Sequence, residues 1–276
     1  MQPQNHIVVI HSYISEPYYH MIEARPLILI TNDDSIAAPG LLRLVDCMPP
    51  DVDIIVVAPA EPHSGQSSAL TVGAPLRIRE VADYGAARMF TVTGTPVDCV
   101  KLAMDAIVPR RPSLVLAGIN HGSNSGCNII YSGTMGAVLE GCTLGITSAG
   151  FSLLHHSMAA DFSMCMPFIS EMVAKLLEHP LPAGICLNVN IPARVVPEGI
   201  RVCRAARGHW TDEYARYTDP SGNPFYWLTG HFVNEEPEAA DTDEFWLGKK
   251  YISVVPVKGD MTAIGYIPTA SKFFDR

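Results

Sequence analysis

Leu27-Ile28-Leu29-Ile30-Thr31-Asn32-Asp33-Asp34-Ser35-Ile36-Ala37-Ala38-Pro39-Gly40 is the stretch from which the fold is read. An apolar run stops at two adjacent carboxylates, and Pro39 and Gly40 lead into the apolar-spaced segment Leu41-Leu42-Arg43-Leu44-Val45. The pattern describes a buried parallel strand, a loop and a helix. In an open α/β sheet, loops at the carboxyl ends of strands are where ligands bind. Two side-by-side carboxylates repel, and a hard divalent cation is the usual remedy. The competing reading is local: Asp34 or Ser35 could simply cap the helix that follows.

The 276-residue chain is 48% hydrophobic and 17% charged, the balance of a globular protein with a sizeable core. A formal charge of −9 argues against holding a nucleic-acid duplex by phosphate neutralisation. It leaves room for a small phosphorylated substrate, because one bound cation reverses the local field. The seven cysteines are scattered with no Cys-x-x-Cys pair, which suits buried free thiols in a reducing cytoplasm. No run is long enough to span a membrane, and Ile7–Ile10 is too short for a signal-peptide core. Residues 1–24 read as a poorly ordered extension ahead of a single domain at 25–276.

Apolar runs alternate with helix-like segments through the first two-thirds of the chain. Strands are expected at Leu27–Thr31, Asp53–Ala58, Met89–Thr93, Ser113–Ala117, Ile146–Phe151 and Ile185–Ile191. Helices are expected at Leu41–Cys47, Val97–Ile107, Thr134–Leu144 and Met158–Leu177. This alternation is that of an α/β fold with a Rossmann-like, doubly wound, mostly parallel sheet. Pro75–Val81 alternates apolar and charged residues and reads as an antiparallel edge or hairpin strand. The polar segment 207–248 contains one aromatic strand-like stretch, Asn223–Leu228, and reads as a protruding interaction arm. Tyr251–Val257 returns to an apolar strand.

Three further loops bear on chemistry. Ser64, Ser67 and Ser68 follow the second strand, with Gly65 permitting a tight bend, although ordinary turn chemistry accounts for such a loop equally well. Gly118-Ile119-Asn120-His121-Gly122-Ser123-Asn124-Ser125-Gly126 offers Asn oxygens for a hard cation and glycines for close approach to phosphate. It lacks the phosphate-loop Gly-Lys-Ser/Thr and the dinucleotide fingerprint, which sets nicotinamide oxidoreductases aside. Tyr131-Ser132-Gly133-Thr134 opens a helix, where hydroxyls and unpaired amides form an anion site whether or not they also cap it. Asp98, after Thr93-Gly94-Thr95-Pro96, reads as first-turn dipole compensation. The His155-His156 pair reads as a solvated loop. No Gly-x-Ser-x-Gly elbow supports a covalent serine mechanism.

Together these loops resemble the SurE family, the survival-protein 5′-nucleotidases, from about residue 26 onward. The resemblance rests on Ile30–Gly40, Val57-Ala58-Pro59 with Ser64-Gly65, Gly94–Cys99, Ser113–Gly126 and Ile130–Ala137 with Glu140-Gly141. It continues through Leu187–Pro192, Asn223–Leu228 and Thr242-Asp243. It implies a metal site of Asp33, Asp34, Ser64 and Asn120, with Asn124, Ser132, Gly133 and Thr134 near the phosphate. It implies one divalent cation per subunit, Mg2+ or Mn2+, and hydrolysis of nucleoside monophosphates by metal-activated water, with Asp33 or Asp34 accepting the proton. It extends to 3′-nucleotidase and short-chain exopolyphosphatase activity. It further implies a cytoplasmic homodimer or homotetramer that exchanges its C-terminal arm, with no membrane or nucleic-acid partner. The one departure is Ser35, where the family carries Gly directly after the acids; a left-handed backbone there would strain a serine. That departure keeps a second reading open, a non-catalytic nucleotide sensor on the same fold.

Overall fold

The computed structural model describes residues 25–275; the extension expected at 1–24 lies outside them. Its centre is a nine-stranded sheet built from β1 (Leu27–Thr31), β2 (Asp53–Pro59), β3 (Ile78–Tyr84), β4 (Ala87–Val92), β5 (Leu114–His121), β6 (Thr147–Leu153), β7 (Ile185–Ile191), β8 (Ile200–Val202) and β13 (Ile252–Lys258). The order across the sheet is β3-β4-β2-β1-β5-β6-β7-β13-β8. The six strands from β4 to β7 run parallel, while β3 and β13 are antiparallel to the neighbours they close on. The doubly wound α/β reading therefore holds, and Pro75–Val81 is represented by the antiparallel edge strand β3.

Burial on both faces explains the apolar runs. Ile28 and Ile30 of β1 point to a layer formed by α1 (Pro39–Asp46) and α4 (Met166–Glu178), through Leu41, Leu44, Ile169 and Val173. Leu27 and Leu29 point the other way, to α2 (Pro96–Leu102) and α3 (Gly133–Thr143), through Val100, Met135 and Val138. A strand packed on both sides has no polar face to alternate, so β1 is apolar from Leu27 to Ile30 and turns polar only at Thr31.

The chain leaves β1 for β2 and β4 on one side, then returns to β5, β6 and β7 on the other. Opposite directions of travel leave a crevice at the carboxyl ends of β1 and β5. Gly40, in the first turn of α1, seals it from one side: a Cβ there would lie 2.0 Å from the Ile119 carbonyl oxygen.

Several expected boundaries shift. β5 runs to His121 rather than stopping at Ala117, because Asn120 and His121 pair with Ser152 and Leu153 of β6 beyond a register shift. Asn120 therefore stands on a strand end and not in a loop. The helix expected over Val97–Ile107 is α2 followed by a wider π-turn over Ala103–Ile107, closed by Val108 N–H donating to the Ala103 carbonyl. The helix expected from Met158 begins at Met166, since Ser157 and Asp161 side chains capture the amides of Ala159 and Ser163 in local turns.

Residues 208–234 form two antiparallel hairpin pairings, β9 (Gly208–Thr211) with β12 (His231–Asn234) and β10 (Tyr214–Thr218) with β11 (Pro224–Leu228). The aromatic stretch Asn223–Leu228 is thus one member of a four-strand arm. The remainder of 207–248 returns to the body as α5 (Asp243–Gly248), where buried Asp243 accepts from the amides of Gly126 and Ala206. Arg204 and Arg207 clamp the arm's base through Glu236 and Asp241. A final helix, α6 (Ile267–Phe274), ends the described chain. Among the described residues no helix is long and apolar enough to cross a membrane.

The seven thiols are all free, but only five are buried; Cys127 and Cys203 are partly exposed. Burial pushes Cys203 up to about 11, and raises Cys127 from its ordinary value by desolvation first. Iodoacetamide at pH 8 should therefore label Cys127 first and Cys203 second in the native protein. Mass spectrometry showing any of the other five labelled as fast would contradict this packing.

Candidate active site

The end of β1 places Asn32, Asp33 and Asp34 in the crevice. Asn32 holds the loop by donating from Nδ2 to the Ser35 carbonyl at 2.8 Å, and Ile36 N–H donates to the Pro59 carbonyl at 2.9 Å. Between these two anchors Ser35 sits at φ +94°, a left-handed conformation that costs any side-chain-bearing residue energy. The backbone shape belongs to the loop, and the serine is bent to fit it.

Asp33 is 3% exposed and rests against the first turn of α3. Its Oδ1 accepts from the Thr134 hydroxyl at 2.5 Å, and a Cβ on Gly133 would lie 2.8 Å from its own Cβ and 3.0 Å from Oδ2. Only glycine allows this approach. Asp33 N–C=O is tied onward: His63 N–H donates to its carbonyl at 2.7 Å, which places Ser64 at the adjoining position. Ser64 is exposed.

Burial is the largest influence on the Asp33 carboxyl, pushing it up to about 6; the Thr134 hydrogen bond opposes this and the neighbouring Asp34 charge adds to it. Asp34 is held by His121, whose backbone N–H and ring Nδ1 lie 3.2 and 2.9 Å from Oδ2. The His121 ring is itself buried edge-on against Phe162. Asn120 donates from Nδ2 to the Gly122 carbonyl at 3.0 Å, which turns its Oδ1 into the group left to accept or to coordinate.

The other expected phosphate groups are used differently from one another. Ser132 caps α3 by accepting from Met135 N–H at 3.0 Å, and its hydroxyl proton stays available. Gly133 supplies close approach and a first-turn amide. Thr134, by contrast, is fully buried and its hydroxyl donates to Asp33, so its side-chain contact in this structure is with the carboxylate. Asn124 is likewise engaged: its amide donates to the Ser152 hydroxyl, its N–H to Asn190, and its carbonyl accepts from Asn188. That buried ladder pins the loop after β5 to the ends of β6 and β7. Asp98 forms a capping box with Thr95 at α2 and is bound by Thr71, as the dipole reading expects. His155 is half-buried and His156 exposed, both in the loop after β6.

Among the described residues, no group of three or more His, Cys, Asp or Glu side chains could hold a metal ion. The oxygen groups at this end of the sheet are of another kind: the Asp33 and Asp34 carboxylates and the Asn120 Oδ1, with the exposed Ser64 one residue beyond the His63 amide that binds the Asp33 carbonyl. A carboxylate pushed up to about 6 next to a second carboxylate is the mark of uncompensated charge, and these hard oxygen donors suit a divalent cation of the magnesium class. Both His121 and Thr134 stand in loops that the sequence singles out, but their contacts to Asp34 and Asp33 are not displayed by it. Thr134 lies 101 positions from its partner, a separation no local pattern reveals.

A family model described as "Survival protein SurE" matches residues 28–212. A protein of Phocaeicola vulgatus named 5′-nucleotidase SurE is 48% identical over 245 residues, covering 89% of this chain and 95% of that protein. One of the same name from Christiangramia forsetii is 46% identical over 257 residues, covering 92% and 98%. The crystal structure of the SurE protein from Aquifex aeolicus superposes with a TM-score of 0.77 at 32% identity, covering 90% of this chain and 99% of that one.

Two variants test the geometry. The Asp33 folded-state pKa near 6 exceeds its ordinary 3.8, so ionising it opposes folding above pH 6, and the penalty fades as pH falls toward 4. Asp33→Asn should therefore stabilise the metal-free protein at pH 7.5 by up to ~3 kcal/mol, with less gain at pH 5, in urea unfolding with chelator. No gain at pH 7.5 would contradict an uncompensated buried charge. Ser35→Gly should stabilise by about 1 kcal/mol through relief of the left-handed strain, and a loss of stability would contradict it.

Proposed function

Because this chain belongs to the SurE family and is a 5′-nucleotidase, we propose that it cleaves nucleoside monophosphates with one divalent cation, Mg2+ or Mn2+, at the Asp33–Asp34 pair. The observation that carries this is the buried Asp33 carboxylate beside Asp34 at the β1–β5 crevice, short of positive charge. Asp33, Asp34, Ser64 and Asn120 would hold the cation. When bound, it supplies charge neutralisation at the phosphoryl group and acidifies a water molecule.

The chain's own residues do the rest. Thr134 and His121 fix the two carboxylates so that one oxygen of each is held by a hydrogen bond. The Ser132 hydroxyl and the first amides of α3 orient the phosphate oxygens at the positive end of the helix. Water attacks phosphorus and gives up a proton to the carboxylate pair, the P–O bond to the nucleoside breaks, and that proton passes to the departing nucleoside oxygen, leaving free nucleoside and inorganic phosphate. Terminal phosphates of 3′-nucleotides and short polyphosphate present the same oxygens to the same groups.

The arm carries Tyr217, Tyr226, Trp227 and Leu228 exposed on β10 and β11, a face suited to a second copy of the chain in a homodimer or homotetramer that exchanges it. Free thiols suit a reducing cytoplasm. The strained Ser35 favours a second reading, a nucleotide sensor without turnover.

Phosphate release from a nucleoside monophosphate panel decides between them. Release with Mn2+ or Mg2+ should vanish in chelator, and Asp33→Asn should lower kcat by about 100-fold or more while the protein stays folded. Undiminished release in chelator, or by the variant, would sink the metal-dependent mechanism. Nucleotide binding with no release by the native protein would favour the sensor.

A further inference from the structure

A cavity of about 360 Å³ opens between the Ser64–Gly65 loop, the segment ending at Tyr131 and the base of the arm. Both core segments adjoin the crevice: Gly65 follows Ser64, and Tyr131 precedes Ser132. They are also tied to each other, since Ser67 donates from its backbone N–H to the Tyr131 carbonyl at 3.0 Å and from its hydroxyl to the Ile130 carbonyl at 2.7 Å.

The walls are aromatic. Trp210, Tyr131 and Tyr214 line the space together with Leu228. The indole is set in place, with Nε1–H donating to Asn128 Oδ1 at 2.7 Å, while Asn128 Nδ2 donates to the Ser125 carbonyl at 2.9 Å. Asn128 therefore has its amide committed on both sides and acts as a positioning residue for Trp210. Flat apolar faces of this kind favour a planar heteroaromatic ring.

Charge in the cavity points to which end of a nucleotide enters. The single charged side chain in the lining is Glu213, and among the described residues its carboxylate takes part in no side-chain hydrogen bond or ion pair. An anionic wall repels phosphate, so the phosphate end belongs at Ser132 and the base end belongs here. A carboxylate accepts and cannot donate, and so it selects ring edges that present N–H groups. Guanine offers two adjacent donors, N1–H and the 2-amino group, in the spacing a carboxylate accepts in parallel. Hypoxanthine offers only N1–H. Adenine turns an acceptor, N1, toward the carboxylate beside its 6-amino group.

We propose that this cavity is the nucleobase subsite, with the ring against Trp210 and Glu213 reading the base edge, so that the chain prefers guanine over hypoxanthine over adenine. The assignment deepens the phosphomonoesterase reading and rests on it for its biological use. Its binding content can be tested without turnover.

Guanosine, inosine and adenosine, which carry no phosphate, are titrated by ligand-observed NMR into chelator-treated native protein and into Glu213→Gln. The expected order of affinity is guanosine, inosine, adenosine, with about 10-fold between the first and last, the lower end for a hydrogen bond to a partly solvated charge. Glu213→Gln should collapse that ratio toward one, and Trp210→Leu should weaken all three. Equal affinities in the native protein, no binding at millimolar concentration, or a ratio untouched by Glu213→Gln would overturn the subsite.

Hydrolysis of GMP, IMP, AMP and ribose 5-phosphate with Mn2+ then separates the two ideas. The kcat/KM values for the three nucleotides should follow the same order, and ribose 5-phosphate should be unaffected by Glu213→Gln. Release from ribose 5-phosphate as efficient as from GMP would overturn the subsite while leaving the phosphatase intact. Ordered nucleoside binding with no hydrolysis of any substrate would overturn the phosphatase reading and leave the subsite standing.

Discussion

Asp33 brings a carboxylate just past the end of a strand whose body, Leu27 to Ile30, is apolar, where 3% of the residue remains exposed. A charge in that position is unfavourable unless something answers it. The fold supplies partial answers from distant parts of the chain: the Thr134 hydroxyl, the close approach of the α3 amino end permitted by Gly133, and the two-sided anchoring of the loop by Asn32 and Ile36. They do not suffice, since burial still outweighs the hydrogen bond in setting the Asp33 pKa. The charge left unanswered at Asp33 is the demand that the proposed cation would satisfy.

The same demand explains why so much of the crevice is rigid. His121 is buried on its ring face and edge, so Asp34 is held by a group that has nowhere else to go. The Asn124, Asn188, Asn190 and Ser152 ladder ties the loop after β5 to two neighbouring strands. A buried amide network of this kind is favourable only when its members are satisfied together, and here it locks the strand ends that carry Asn120. Ligands placed on strand ends and pinned loops lose little freedom on binding. Ser35 fits the same logic from the opposite direction: its left-handed backbone is tolerated because the flanking hydrogen bonds determine the loop's shape.

How much of this was legible depends on how local the cause is. β1 and β7 match their expected bounds because strands buried on both faces announce themselves as apolar runs. β5 was cut short because Gly118, Asn120 and His121 look like loop residues; pairing with β6, which sequence does not display, keeps them in the sheet. The start of α4 was missed because Ser157 and Asp161 hold local turns inside a helix-like composition. The acids and the capping role of Ser132 could be read from spacing. The contact of Thr134 with Asp33, and the burial of the Asn124 amide, depend on partners across 101 and 28 positions. The arm reads as one aromatic strand because its partner strands are short and polar, and only pairing makes hairpins of them.

The arm also joins the two halves of the chemistry. Its base is fixed to the body by Asp243, by the Arg204–Glu236–Asp241 cluster and by the Trp210–Asn128 hydrogen bond, whereas the aromatic residues along β10 and β11 are exposed. A projecting hairpin anchored only at its root transmits force to that root. A partner covering Tyr226 and Trp227 on β11 would therefore bear on Glu213 and Tyr214 at the entry to β10, which line the aromatic cavity with Gly65 and Tyr131. On the proposed reading, the phosphate would meet the rigid carboxyl ends of the central strands and the start of α3, and the base would meet an element whose exposed face another surface can order. A division of that kind would let a surface placed on the arm tune which base fits while the carboxylates at the strand ends keep their fixed positions.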